Sequence, residues 1–75
     1  MSQSTTHYVA AEVRAELGRQ GHDYTWLARQ LDVSVMWVSR RLRGLTEFTV
    51  DDLLRVAQVI GVEPSVLLPA PVRAE

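Results

Sequence analysis

The sequence contains neither cysteine nor lysine. Without cysteine there is no disulfide framework and no thiolate nucleophile, which suits a reducing cytoplasm. Without lysine, all eight cations are arginine. Its planar five-donor guanidinium suits two-pronged contact with phosphate and guanine, although a GC-rich genome would produce the same bias. Long apolar runs are also missing. Uncharged stretches such as 1–11 and 56–62 fall far short of the ~18 apolar residues of a membrane span. The first is too polar for a signal-peptide core. Glycine and proline are sparse, at four and three, which argues against low complexity. These absences leave a small, non-secreted, globular chain. At 75 residues it amounts to one domain, able to bury ~60–65% of the surface its unfolded form exposes.

Charge is unevenly placed. Residues 1–45 carry six Arg against Glu12, Glu16, Asp23 and Asp32, a local +2. Residues 46–75 carry two Arg against five acids, a local −3, so the formal sum of −1 hides a basic front and an acidic rear. No alternating strand pattern occurs, and the punctuation predicts five short helical segments. The first runs from Thr6 to Gln20 with Ala10, Val13 and Leu17 on one stripe, stopped at Gly21. Asp23 caps a second segment whose face is Tyr24, Leu27, Ala28 and Leu31. Asp32 and Val33 interrupt, and Ser34 caps a third segment, Val35 to Arg43, which stops at Gly44. A fourth opens at Thr49 with Asp51 and Asp52 in its first turn, where the helix dipole favours acids. Its expected core stripe is Val50, Leu53, Leu54, Ala57 and Ile60, and Gly61 ends it. Pro64 opens a short fifth segment through Leu68. The predicted domain is 1–68, with 69–75 as a tail.

Two short helices joined by a tight turn, within a five-helix chain, suggest a helix–turn–helix. Ala28 is small where the two helices must approach, and Val33 supplies an apolar plug in the turn. At about 100° per residue the third segment divides into two faces. Val38 and Leu42 anchor one. Val35, Met36, Ser39, Arg40 and Arg43 occupy the other, an arc of roughly 140°. Two Arg, a Ser and two apolar side chains make a poor core face but a good groove-reading face. Arg hydrogen-bonds guanine, Ser reaches base edges, and Val or Met touches thymine methyl groups.

The stretch TWLARQLDVSVMWVSRRLRG, Thr25 to Gly44, followed by TVDDLLRVAQVIGVEPSVLL, Thr49 to Leu68, resembles the lambda-repressor and Cro-like helix–turn–helix proteins, the XRE family. The likeness covers about residues 8–68. It implies an all-α, lambda-repressor-like domain and a sequence-specific regulator that binds double-stranded DNA, of the phage or prophage repressor kind. There are three departures. Asp32 stands where the family usually has Gly in the turn, Tyr24 where it often has Gln, and Arg41 where it is usually apolar.

On this reading Val35, Met36, Ser39, Arg40 and Arg43 read bases. Tyr24, Thr25, Arg29, Ser34, Trp37, Arg41 and Thr46 are the expected contacts with the DNA backbone, since helix N-termini and the loop after the recognition helix approach phosphates. Trp37 has a packing alternative, with Arg41 stacked over its ring. Trp26 projects to the outer side of its helix and is expected to be exposed. His22 is placed to staple onto the same helix. Neither His7 nor His22 has a metal-ligand or catalytic partner at useful spacing, so no enzyme, cofactor, metal or small-molecule ligand is implied. Val56, Val59, Val62, Val66 and Leu67 are surplus to the core stripe, and would form the patch of a two-fold homodimer through helices four and five. Two rivals stand beside this reading. One is an antitoxin-type regulator of the same fold, and the other a protein-interaction module that no longer binds DNA.

Overall fold

The computed structural model describes residues 4–69, with the side chain of Ser4 excepted. The expected tail therefore lies outside the described residues, apart from Pro69. Four α-helices run in order: α1 (Ser4–Gln20), α2 (Tyr24–Leu31), α3 (Val35–Leu42) and α4 (Val50–Ile60). A 3₁₀ turn, Pro64–Leu67, follows them, and no strand occurs among the described residues. The all-helical class is as expected. The fifth segment, however, is a single 3₁₀ turn ending one residue early, and α1 starts two residues before Thr6.

Local chemistry sets the helix ends. Asp23, Ser34 and Thr49 each hold extended backbone and accept a hydrogen bond from the N–H three residues on, at Trp26, Trp37 and Asp52. Thr49 and Asp52 complete a capping box, because the Asp52 carboxylate also accepts from the Thr49 N–H. A cap of this kind stabilises by ~1 kcal/mol. Asp32 takes the left-handed conformation at φ 60° that the turn requires. Its short polar side chain tolerates this better than most.

The core gathers Val9, Val13 and Leu17 of α1, Leu27, Ala28 and Leu31 of α2, Val38 and Leu42 of α3, and Leu67 of the 3₁₀ turn. From α4 come Leu53, Val56, Ala57 and Ile60. The expected stripe of α4 is thereby corrected. Val56 is 0% exposed, while Val50 is 73% exposed and Leu54 also faces outward. Leu53, Val56, Ala57 and Ile60 follow the i, i+3, i+4, i+7 rule of a single buried stripe. Leu54 lies about 100° away from Leu53. Val50 falls within the correct arc but one turn too early, at the first helical position.

Three helix C-termini receive side chains from elsewhere in the chain. Arg14 of α1 donates to the Leu42 carbonyl at the end of α3. Arg55 of α4 donates to the Leu31 carbonyl at the end of α2, and Gln20 donates to the Ile60 carbonyl at the end of α4 at 2.8 Å. These acceptors have no partner within their own helices, so each bond satisfies an orphan. Gln20 is steadied in turn by Glu16, whose carboxyl is held below its ordinary value by hydrogen bonds from Arg19 first and Gln20 second.

Candidate nucleic-acid interface

The turn between α2 and α3 is short because the chain reverses within Asp32 and Val33. The Val33 N–H donates back to the Ala28 carbonyl at 3.0 Å, and the Val33 side chain packs against the core. Ser34 then starts α3 at once. Ala28 is buried, as expected of a small residue on the inner face of α2.

α3 has two faces of opposite character. Val38 and Leu42 are buried and seat the helix. On the other side Met36 is 62% and Val35 45% exposed, Arg40 and Arg43 are exposed, and Ser39 is half-buried. The structure thus brings the five expected base readers onto one outward arc. The helix contains no acid, so the positive charge of that arc is unopposed from within α3.

The expected backbone contacts divide. Thr25 and Arg29 are exposed on the first and last turns of α2, and Tyr24 is half-buried at its start. Ser34 is exposed, with its hydroxyl oxygen accepting from the Trp37 N–H at 3.0 Å. Thr46 is half-buried in the loop after α3. Trp37 and Arg41 turn toward the domain instead. The Arg41 guanidinium lies 3.8 Å from the Trp37 ring centroid, and its Nε sits 3.8 Å from Asp52. Trp37 meets Phe48 edge-on, with ring centres 6.2 Å apart. Arg41 Nε is buried and has no hydrogen-bond partner, so the ion pair is its compensation. These contacts tie α3 to the first turn of α4. Trp26, expected to be exposed, is half-buried and stacks on His22 at 3.6 Å with the rings 2° from parallel. The staple attributed to His22 takes this form.

Two of the five dimer candidates are corrected. Val56 and Leu67 are fully buried and belong to the core, so neither side chain can face a partner. Val59 and Val62 are half-buried over that core, and Val66 is 45% exposed on the 3₁₀ turn.

Arg14, Asp52, Phe48 and His7 hold the site from behind, and the sequence did not single them out for that. The His7 ring lies against Gly44, where an added Cβ would stand 2.7 Å from its Nδ1. Gly44 also holds φ 79°, so the residue closing α3 needs glycine on two counts. Only Asp52 carried a signal, as the acid three residues after a capping threonine. Among the described residues no group of three His, Cys, Asp or Glu is placed to hold a metal ion. A cleft of about 210 Å³ between the start of α1 and the loop before α4 is lined largely by Val9, Phe48, Val50, Leu53 and Leu68. That is below the ~300 Å³ at which small-molecule sites begin.

The BetR domain family matches residues 4–73. No curated protein is similar to the chain in sequence. A hypothetical transcription factor from Neisseria superposes with a TM-score of 0.84 at 25% identity, over 92% of this chain and 79% of that one. The DNA-binding domain of BldD superposes with a TM-score of 0.80 at 27% identity, over 92% of this chain and 100% of that domain. The hydroxypropylphosphonic acid epoxidase of S. wedmorenis carries the same fold, with a TM-score of 0.82 at 23% identity. It does so within a longer protein, of which this chain spans 36%.

Proposed function

This chain belongs to the BetR domain family, and from that premise we propose that it is a transcriptional regulator that binds double-stranded DNA in a sequence-specific way. The observation that carries the reading is the outward face of α3. Arg40 stands exposed on it and Arg43 at its C-cap, with no acid in the helix, and Val38 and Leu42 hold it rigidly against the core. A rigid helix presenting guanidiniums to solvent matches the dimensions and acceptor pattern of a major groove. Arg40 and Arg43 pair with guanine, Ser39 reaches a base edge, and Val35 and Met36 meet apolar groups in the groove. Thr25, Tyr24, Arg29, Ser34 and Thr46 position the helix through phosphates. Trp37 and Arg41 act chiefly by fixing α3 to α4. The role is of the repressor or Cro-like kind, which the resemblance of the two motif stretches supports.

An eight-residue helix is about 12 Å long and spans only three or four base-pair steps. Such a site recurs far too often in a genome to be specific. A second copy on the same duplex supplies the rest, through the half-buried Val59 and Val62 and the exposed Val66 at the rear of the domain.

Selection from random duplexes, followed by titration of the selected site at several salt concentrations, tests the reading. The expected result is a recurring motif bound more weakly as salt rises, with about 0.9 in the logarithmic slope for each phosphate neutralised. Recovery of no motif, together with no salt-dependent binding to any duplex, would overturn it.

A further inference from the structure

The first turn of α3 is unusual for a face that reads bases. Its two exposed side chains, Val35 and Met36, carry no hydrogen-bond donor, and only the weakly accepting Met36 thioether. Beside them the Ser34 hydroxyl oxygen accepts the Trp37 N–H, which leaves its own O–H for a phosphate, and the Trp37 ring lies beneath Arg41. Large apolar side chains this open to water are uninformative singly, but here two sit side by side at the leading end of a helix. The same arc continues into Arg40 and Arg43 with no acid between them. Its occupant must therefore be apolar at one end and rich in acceptors at the other.

We propose that Val35 and Met36 form a methyl-reading pair, which recognises the 5-methyl group of a pyrimidine in the major groove. The proposal rests on the DNA-binding reading given above and adds to it a paired methyl site at a set distance from guanine. In the major groove thymine alone among the four standard bases displays a methyl group, and a contact with it needs no hydrogen bond. 5-Methylcytosine carries the same group at the same ring position. The midpoint of Val35 and Met36 lies six residues before that of Arg40 and Arg43. At 1.5 Å per residue this is about 9 Å, between two and three base-pair steps of ~3.4 Å. The half-site is accordingly bipartite, with methylated pyrimidine at one end and guanine two or three steps away.

The test exchanges single atoms in the DNA. In the selected site each thymine is replaced in turn by deoxyuridine, which removes the methyl group and keeps the pairing edge. Affinity falls about fourfold for each methyl group read, from ~0.8 kcal/mol per buried carbon at ~1.4 kcal/mol per tenfold. A 5-methylcytosine–guanine pair at the same position recovers part of the loss that a cytosine–guanine pair causes. The Met36→Gln and Val35→Gln variants lose the distinction between thymine and deoxyuridine but keep salt-dependent binding to random duplex. A protein that selects a site yet is indifferent to every thymine-to-deoxyuridine exchange would overturn the methyl assignment and leave DNA binding standing. A protein that binds no duplex would overturn both. Self-association abolished by the two Gln substitutions would assign the pair to a protein contact and overturn it as well.

Discussion

Arg40 is the residue on which the proposed readout most depends, since it stands exposed on α3 with no partner within its helix. Arg40→Ala is expected to weaken specific binding by roughly 1–3 kcal/mol and to relax the preference at one base pair, a guanine. Titration against the selected site and its single-base variants measures this. A uniform loss across the variants would make Arg40 a phosphate contact instead. Gly44 offers a second test at this scale. Alanine there meets both a left-handed backbone and the His7 ring. Gly44→Ala is expected to lower stability by about 1–2 kcal/mol from the backbone conformation alone, with a further steric cost. In the His7→Ala background only the backbone part should remain. Urea unfolding of the single and double variants separates the two, because residues in contact do not add.

At the scale of elements, the connection of α3 to α4 is the most informative. Asp52 closes the capping box of α4 and is also the counter-charge of Arg41. Asp52→Ala is therefore expected to destabilise more than Thr49→Ala, whose loss is that of a cap, ~1 kcal/mol. The excess should vanish when Arg41 is also replaced, in a double-mutant cycle read by denaturant titration. Ala28→Val, in the buried face of α2, is overpacking and should cost ~1–3 kcal/mol, seen as a lower Tm without DNA. The contrast between these devices shows which parts of the structure the sequence made legible. Asp23, Ser34, Thr49 and the left-handed Asp32 act on backbone three or four residues away, so their roles are readable from local order. Val38 and Leu42 were readable from helical period. Arg14 to Leu42, Arg55 to Leu31 and Gln20 to Ile60 join residues 28, 24 and 40 positions apart. No local pattern announces such pairings. Val50 and Val56 show a related limit. The period gives the direction in which a side chain points, but not whether a neighbouring helix extends far enough to cover it.

For the whole molecule the issue is assembly. The rear surface is smaller than the sequence suggested, because Val56 and Leu67 face inward. What remains is the exposed Val66 and the half-buried Val59 and Val62. So small a patch does not make a permanent interface, and the expected state is a weak dimer that forms fully on DNA. Val66→Glu, at an exposed position, should change monomer stability by no more than about 0.5 kcal/mol. It should convert a two-to-one complex on a palindromic site into a weaker one-to-one complex. Sedimentation with and without the duplex reads both. A one-to-one complex of the unaltered protein on an asymmetric site would remove the dimer.

The long-range caps on α2, α3 and α4 have a consequence for motion. A helix end held only by its own residues frays independently, and its amides exchange with solvent through small local openings. Here the last turn of α3 cannot unwind without releasing Arg14, nor that of α2 without releasing Arg55, nor that of α4 without releasing Gln20. Fraying of one element thus disturbs another, and openings that would be separate merge toward a single cooperative event. The amides in the last turns of these helices should then exchange with nearly the protection of the core. Arg14→Met should free those of α3 alone. On the proposed readout, a helix that does not fray reaches the groove already ordered, so little of its binding energy is spent on holding it straight.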